Sequence, residues 1–342
     1  MLDFRSDNTA PAAPEMLEAL RAANEGMTPS YGGDDWTRRL QERASAVFEA
    51  PVRVYPVASG TAANALSLAA AAGTFGSVYC TPDAHIHLSE WNATGFLGGG
   101  TKMMPVGTPG AKLQAAQLEA ALADAAGWPH KARAAVVNLV QATEMGQVYT
   151  PQEVAAIAQV AHARGLKVHM DGARFANAVA HLGCTPAELT VQAGVDILSF
   201  GVTKNGGLNA DAIVVFTPSA AEELELHLMR AGLVWSKMRY ASAQVLAYLE
   251  NGLWLRLARQ ANEAALHLAA QAAEVAGVRV VEQVQANEVF LRMPATALDR
   301  LREGGVNYAR RGGELARFVC RWDTTRAEVD ALLAAIQAAS VS

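Results

Sequence analysis

The sequence predicts an α/β protein whose central sheet is mostly parallel. Helix-like and strand-like segments alternate over the first two thirds of the chain, which favours parallel strands joined by right-handed crossovers. Several strands are continuous apolar runs, as is typical of strands covered by helices on both faces. A chain of 342 residues is longer than a domain with a single hydrophobic core usually is. We therefore expect a large domain over residues 1–245 and a smaller α+β domain over residues 246–342.

The individual elements follow from the same patterns. A polar N-terminal arm precedes the first helix. In the large domain we predict helices at 34–48, 61–72, 151–164 and 172–181. The strands predicted there are 52–57, 77–80, 134–140, 166–170, 195–200 and 212–216. The smaller domain is predicted to contain a helical stretch over 243–276, broken near residue 251, then strands at 278–281, 288–292 and 314–321 and a helix from residue 325.

The composition is typical of a soluble globular protein. Apolar residues make up 51%, charged residues 18%, and the formal net charge is −5, so nothing favours binding to nucleic acid or to an anionic membrane. No apolar segment reaches the roughly 18 to 20 residues that span a bilayer, and the charged N-terminus lacks the apolar region of a secretory signal. Three distant cysteines are typical of reduced thiols, and the scattered histidines predict no metal site. We therefore expect a cytoplasmic protein.

Lys204 is the most informative residue of the sequence. The chain contains six lysines, and only this one follows a short apolar run that predicts a buried strand, residues 195–200, and precedes a turn at 205–207. An amine at the end of a buried strand is placed for nucleophilic catalysis. The alternative is an ordinary lysine on a surface loop, and other parts of the sequence must decide between the two.

Small side chains join a predicted strand to an Ala-rich helix at residues 58–64. At Ser59, Gly60 and Thr61 the backbone is open to a ligand, and the N–H groups and dipole of the helix start favour an anion such as phosphate. The alternative is an ordinary turn with a capped helix.

Asp171 ends a predicted apolar strand, which places its carboxylate at the carboxyl edge of the sheet, where open α/β sheets bind ligands. A buried carboxylate needs a cationic partner. One alternative is Arg174. The other is a protonated ring nitrogen of a cofactor, which leaves Arg174 free for a substrate carboxylate. His85, after the strand at 77–80, could stack on such a ring or serve as an ordinary cap or core group.

The order of these features predicts pyridoxal 5'-phosphate as cofactor. The phosphate turn comes first, then Asp171, and then Lys204 after 33 further residues. The phosphate would lie at the helix start, Asp171 would keep the ring nitrogen protonated, and Lys204 would form the Schiff base. Each feature alone has an ordinary explanation, but their joint occurrence in this order favours the cofactor.

With these residues, the chain resembles the threonine aldolases of the β-eliminating lyase group, pyridoxal-phosphate enzymes of fold type I. The landmarks follow the family order along nearly the whole chain, at residues 4–7, 31–34, 59–61, 84–85, 169–174, 199–204 and 317–323. The resemblance implies the aspartate-aminotransferase-like fold with a seven-stranded sheet in the large domain. It also implies a homo-oligomer, namely a dimer with shared active sites that forms a tetramer.

The resemblance assigns the cofactor site residue by residue. Lys204 would carry the cofactor as a Schiff base, Asp171 would bind its pyridine nitrogen, and His85 would stack on its ring. The phosphate would be held by Ser59, Gly60 and Thr61.

The resemblance also assigns residues to the substrate and to the subunit interface. Ser6, Arg174 and Arg317 would hold the carboxylate of the amino acid, since a planar guanidinium matches a carboxylate. Arg174 would also contact the cofactor. Tyr31 would enter the site from the neighbouring subunit, and Arg239 would reach across the same interface.

The chain departs from the family pattern at three places. Glu144 stands where many relatives have a histidine, Asn8 replaces a threonine, and Asn205 follows the lysine in place of a glycine. The first departure bears on catalysis, because it changes what faces the substrate β-carbon. We expect His85 to act as the base at the β-hydroxyl, directly or through water, with Glu144 as the second candidate.

These implications predict a lyase that cleaves L-threonine, L-allo-threonine and related β-hydroxy-α-amino acids, phenylserine among them, to glycine and an aldehyde. The partner would be a small amino-acid substrate. One alternative keeps the cofactor but changes the reaction to β-elimination, racemisation or transamination, because one fold supports many chemistries. Another is a non-catalytic binding protein on the same fold.

Overall fold

The computed structural model describes residues 2–125, 130 and 132–340. In chain order the strands are β1 (Leu2–Asp3), β2 (Arg53–Val57), β3 (Gly76–Cys80), β4 (Lys102–Pro105), β5 (Arg133–Val140), β6 (Lys167–Gly172), β7 (Ile197–Phe200), β8 (Asp211–Val215), β9 (Arg279–Val280), β10 (Glu288–Arg292), β11 (Val306–Asn307), β12 (Ala309–Arg310) and β13 (Leu315–Val319).

The helices surround these strands. In chain order they are α1 (Pro14–Ala23), α2 (Asp35–Val47), α3 (Gly60–Ala72), α4 (His85–Leu88), α5 (Ala93–Leu97), α6 (Ala115–Ala125), α7 (Pro151–His162), α8 (Phe175–Leu182), α9 (Pro186–Leu189), α10 (Leu224–Arg230), α11 (Arg239–Leu249), α12 (Leu253–Ala272), α13 (Ala295–Glu303) and α14 (Arg326–Ser340). Short 3₁₀ turns include Asp7–Thr9 and Thr203–Asn205.

A seven-stranded sheet forms the centre of the molecule, with strand order β2-β8-β7-β6-β5-β3-β4. The pairings among β7, β6, β5, β3 and β4 are parallel, and β8 runs antiparallel to both of its neighbours. The predicted mostly parallel, seven-stranded sheet is therefore confirmed. Its parallel strands end at one edge, so the residues that follow them meet there.

Helices cover both faces of this sheet, which explains the continuous apolar strands. Every residue of β3, β7 and β8 is buried. Helix α3 lies almost wholly inside, with small side chains along its length, whereas α2 buries only one stripe. Burial on both faces removes the alternation of apolar and polar residues that a one-sided sheet shows.

The C-terminal part of the chain forms a second sheet, with strand order β12-β13-β10-β9, and its own apolar cluster with α13 and α14. The N-terminal strand β1 pairs in parallel with β11. Helix α12 contributes to this cluster and to the large one. The boundary predicted between residues 245 and 246 stays a prediction.

Two predicted details were wrong. The helix expected from residue 172 begins at Phe175, because Gly172 belongs to β6 and Arg174 stands at the N-cap. The arm expected to be merely polar contains α1, which starts at a proline and has no side-chain cap.

Candidate active site

Three predicted site residues lie at the carboxyl edge of the central sheet. Asp171 is the fifth residue of β6 and pairs with Val140 on one side and Ser199 on the other. Glu144 follows the end of β5, and Lys204 lies in the 3₁₀ turn after β7. The neighbouring parallel strands β5, β6 and β7 end at the same edge of the sheet. The three chain segments that follow them therefore lie close together.

The Asp171 carboxylate is buried and oriented by two donors. Asn64 Nδ2 donates to Oδ2 at 2.9 Å, and the backbone N–H of Ala173 donates to Oδ1 at 3.0 Å. No ion pair joins Asp171 to Arg174 within the described residues; Arg174 pairs with Asp7. Although burial opposes it, the Asp171 charge adds to that of Asp7 in raising the pKa of the Arg174 guanidinium, without a direct contact. Both oxygens retain lone pairs for a further donor.

Helix α3 connects this carboxylate to the predicted phosphate turn. Its N-cap is Ser59, whose hydroxyl accepts from the Ala62 N–H at 3.2 Å. The capped turn expected as the ordinary alternative is therefore present. It leaves room for a ligand as well, because a Cβ built on Gly60 meets nothing within 4 Å. Asn64 lies one turn further along the helix, and through it the helix start and Asp171 are held in fixed relation.

His85 begins α4 and lies between two acidic side chains. Its ring Nδ1 is 2.8 Å from Glu90 Oε1, and its backbone N–H donates to Glu144 Oε1 at 2.8 Å. The imidazole is half-exposed, whereas the Glu90 side chain is only 1% exposed. The Glu144 carboxyl therefore contacts the backbone of His85, whereas the imidazole contacts Glu90.

Burial dominates the chemistry of Glu144 and raises the pKa of its carboxyl to about 8, with Asp83 and Asp171 adding to the effect and the N–H of His85 opposing it. Because the folded protein holds this proton more tightly than the unfolded chain, the group does not reduce stability when the pH is below the ordinary carboxyl pKa of 4.5. The free energy of unfolding then falls as the pH rises from there towards 8. The cost applies to the protein without cofactor, where no ligand charge contributes.

Replacing Glu144 with glutamine should therefore flatten the pH dependence of stability. Between pH 5 and pH 9 the cofactor-free wild type should lose about 4 kcal/mol more free energy of unfolding than Glu144→Gln, at about 1.4 kcal/mol per pKa unit. Urea unfolding at both pH values measures this difference. The exposed helix residue Glu119 provides a matched control, Glu119→Gln. Equal losses in the wild type and Glu144→Gln would contradict the raised pKa.

Two arginines and two acids form a buried cluster beside the site. Arg174 Nε and Nη2 donate to the two oxygens of Asp7, at 2.8 and 3.2 Å. Glu288 lies between the arginines, 3.3 Å from Arg174 Nη1 and 3.0 Å from Arg317 Nη1. Arg174 and Arg317 are thus neighbours, as expected for a shared carboxylate site. Ser6 stands next to Asp7 and caps the turn that carries it.

Lys204 lies close to this cluster. Although burial opposes it, the charges of Arg174 and Lys204 hold the pKa of Asp7 below its ordinary value. Among the described residues the Lys204 amine has no hydrogen-bond or ion-pair partner, and the neighbouring Thr203 hydroxyl is buried without one. An unengaged amine and an unsatisfied buried hydroxyl are the groups that a cofactor aldehyde and an acceptor oxygen would satisfy.

Tyr31 and Arg239 lie away from this group. The Tyr31 side chain is 65% exposed, and its backbone N–H donates to Ser236 O. Arg239 begins α11 and donates to Gly26 O at 3.0 Å. No hydrogen bond or ion pair joins either residue to Lys204 or Asp171 within the described part of the chain. Their predicted role across a subunit interface stays a prediction.

Four residues that complete the site were not predicted. Asn64 had been noted only as part of the phosphate turn, and three acids lay in segments interpreted for other residues. They are Asp7, Glu90 and Glu288. One sequence feature could have indicated such residues. An acid within an apolar segment, such as Glu288 at the start of β10, is expected to be buried and therefore to need a cationic or hydrogen-bonding partner.

Comparison with known proteins places the chain. The model of the family described as Beta-eliminating lyase matches residues 3–296. The chain belongs to the beta-eliminating lyase family. It is 42% identical over 98% of its length to a low specificity L-threonine aldolase of Pseudomonas sp. (strain NCIMB 10558), covering 97% of that protein. It is 41% identical over 94% of its length to one of Pseudomonas aeruginosa, covering 93%.

Similar solved structures confirm the predicted fold. A threonine aldolase structure from Leishmania major has a TM-score of 0.91 with 22% identity and covers 99% of each chain. A serine palmitoyltransferase structure from Sphingomonas wittichii has a TM-score of 0.70 with 15% identity, covering 98% of this chain and 86% of that one. At these identities the likeness concerns the fold alone.

None of the described helices is long and apolar enough to cross a membrane. In the same residues no three His, Cys, Asp or Glu side chains cluster as metal ligands.

Proposed function

We propose that the protein is a pyridoxal-phosphate-dependent aldehyde-lyase of the threonine aldolase type. It cleaves the Cα–Cβ bond of L-threonine, L-allo-threonine and related β-hydroxy-α-amino acids to give glycine and an aldehyde. The observation that carries the proposal is the convergence of Lys204, Asp171 and His85 at one sheet edge. Identities of 41–42% to low specificity L-threonine aldolases over nearly the whole chain support the reaction.

The residues present fit the cofactor. Lys204 would bind its aldehyde carbon, Asp171 its ring nitrogen, and the start of α3 its phosphate, where Ser59, Gly60 and Thr61 leave open space. Arg174 and Arg239 are proposed as further cofactor contacts. When bound, pyridoxal phosphate supplies the electron sink for the charge left at Cα by bond cleavage. Asp171 serves this chemistry by keeping a positive charge at the ring nitrogen.

Substrate binding depends on the arginine cluster. Arg317, Arg174 and Ser6 would fix the substrate carboxylate, which sets the direction of the bond to be broken. Glu288 keeps the two guanidiniums together, since without a buried acid they would repel each other.

Proton transfer falls to His85 or Glu144. His85 is linked to Asp171 through Glu90 and Asn64, and Glu144 accepts from the backbone N–H of His85. Glu144 can take the β-hydroxyl proton only when its carboxyl, whose pKa is raised to about 8, is ionised. Positioning such a base typically contributes about 10²- to 10⁴-fold to the rate. His85 is the first candidate because its ring is accessible and its second nitrogen has no partner among the described residues.

The reaction is tested by incubating the purified protein and pyridoxal phosphate with L- and D-threonine, L-allo-threonine and phenylserine. We expect equimolar glycine and aldehyde from the L-substrates, without pyruvate or another keto acid. Keto acid in place of aldehyde would support β-elimination or transamination, and conversion of L-threonine into D-allo-threonine without cleavage would support racemisation at Cα. A protein that gains no absorbance with the cofactor would support the binding-protein alternative.

The same proposal covers assembly and location. We propose a dimer with shared active sites, in which Tyr31 completes the neighbouring site, and a tetramer built from two dimers. The large exposed side chain of Tyr31 is consistent with burial by a partner subunit. We further propose domains at 1–245 and 246–342 and a cytoplasmic location.

A further inference from the structure

Glu90 has no part in the reaction proposed above, yet its carboxylate is almost wholly buried beside His85. Its Oε1 lies 2.8 Å from His85 Nδ1 and 3.0 Å from Asn64 Nδ2, while Oε2 is buried without a hydrogen-bond partner. Burying a carboxylate costs free energy unless charged or hydrogen-bonding partners compensate for the lost water, and here one oxygen has no such partner. Its contacts therefore indicate a function.

We infer that Glu90 is a positioning residue that fixes the tautomer of His85. The inference rests on the proposed function, in which His85 acts on the substrate. A carboxylate oxygen only accepts, so the nitrogen that faces it, Nδ1, must carry the proton. In a neutral imidazole the lone pair then lies on Nε2, the nitrogen left free for a substrate hydroxyl or a water.

Asn64 locks the same arrangement from the other side. Its amide nitrogen has two hydrogens and accepts nothing, and it donates one to Glu90 Oε1 and one to Asp171 Oδ2. Oε1 therefore receives two donors and carries no proton itself. One chain of hydrogen bonds links His85, Glu90, Asn64 and Asp171, so the imidazole and the ring-nitrogen carboxylate are held as a unit.

The backbone after Glu90 is held in an unusual conformation that agrees with this role. Trp91 and Asn92 are consecutive non-glycine residues with positive φ, 49° and 57°. Such conformations are unfavourable for residues other than glycine and persist where the surroundings enforce them. Here they turn the chain so that Glu90 points inward while the next side chain, Trp91, is 99% exposed.

Other acids near His85 leave the ring to Glu90. Glu144 accepts from the backbone N–H of His85 and not from its ring. Asp171 reaches the histidine only through Asn64 and Glu90. The tautomer is therefore set by one carboxylate, and a single substitution tests it.

The test is Glu90→Gln, which keeps the size but lets the side chain donate to Nδ1. Histidine-selective ¹⁵N NMR of the cofactor-free protein at about pH 9, well above the ordinary pKa of histidine, reports the tautomer, with His85→Gln to assign the signal. We expect the Nδ1–H form in the wild type and the Nε2–H form or a mixture in Glu90→Gln. In the loaded enzyme kcat should fall about 10²- to 10⁴-fold with KM changed far less.

The chain offers a matched control in His267, whose Nε2 lies 2.9 Å from Asp330 Oδ1 at the surface. Asp330→Asn should alter the His267 signal alone and leave kcat unchanged. An unchanged His85 tautomer in Glu90→Gln would overturn the inference whatever reaction the enzyme catalyses. If Glu90→Gln changes the tautomer but the wild type makes no glycine from any of the substrates, the inference is upheld and the aldolase proposal is refuted. If Glu90→Gln does not fold, Glu90→Ala with and without formate replaces it, and failure of formate to restore the Nδ1–H form would overturn the inference.

Discussion

Replacing Lys204 with alanine should abolish both covalent cofactor binding and activity. Removal of a group that forms the covalent link to the reacting molecule costs roughly 10⁴-fold or more in rate. The wild type mixed with pyridoxal phosphate and dialysed should keep a visible absorbance band, and Lys204→Ala should lose it. Glycine release from L-threonine measures the activity of both proteins.

The structure explains why this lysine and no other described lysine is suited to the task. Lys112 donates to Val148 O and pairs with Glu153, and Lys167 donates to Ala71 O. Lys102 and Lys237 are exposed, and Lys131 lies outside the described residues. Lys102, the first residue of the outermost strand β4, provides the matched control. Lys102→Ala should keep full absorbance and activity. Persistent absorbance and turnover in Lys204→Ala would refute the cofactor assignment.

The central sheet was predictable because each of its inner strands is short, apolar and followed by a turn. Strand β10 was predicted with its observed limits, and the buried strands of the large sheet to within a few residues. Strand β4 was not predicted, because it is an edge strand of only four residues that is half exposed and ends at Pro105. An edge strand needs neither burial nor alternation, so it leaves little trace in a sequence.

The sequence points most directly to those candidate site residues that lie at or just after the ends of strands. Asp171 and Lys204 carry that signal, since the carboxyl ends of neighbouring strands converge. The pairing of Arg174 with Asp7 spans 167 positions, and no local pattern specifies it. Glu90 and Glu288 likewise gain their meaning from partners that only the folded chain brings near. Such contacts depend on tertiary structure and not on propensity or period.

The two arginines of the proposed substrate site differ in which of their N–H groups are free to bind a substrate. In Arg174, Nε and Nη2 are already occupied by Asp7, and the carboxylates raise the pKa of its guanidinium although burial opposes them. In Arg317 only Nη1 has a close partner, Nη2 lies 3.4 Å from Arg5 O, and Nε is buried without one. Burial lowers the pKa of the Arg317 guanidinium. The open edge of Arg317 is therefore the better match for a carboxylate.

Replacement of each arginine by glutamine should separate these roles. Arg317→Gln should raise KM for L-threonine about 10²- to 10⁴-fold, because two charge-assisted hydrogen bonds of about 1.5–3 kcal/mol each are lost. Its stability should change little, since Glu288 keeps Arg174 as partner. Steady-state kinetics and urea unfolding measure the two quantities, and the exposed Arg292 on β10 provides the control Arg292→Gln.

Arg174→Gln should instead act mainly on the fold. It leaves Asp7 with only the Asn287 amide as a side-chain donor apart from the weak Ser6 contact, and it removes one partner of Glu288. Breaking a buried ion pair from one side costs about 3–5 kcal/mol, because the remaining acid stays buried and uncompensated. The free energy of unfolding should fall by that amount, whereas the rise in KM should be smaller than in Arg317→Gln. The reverse order, with stability lost in Arg317→Gln and binding lost in Arg174→Gln, would mean that Asp7 releases Arg174 when the substrate carboxylate arrives.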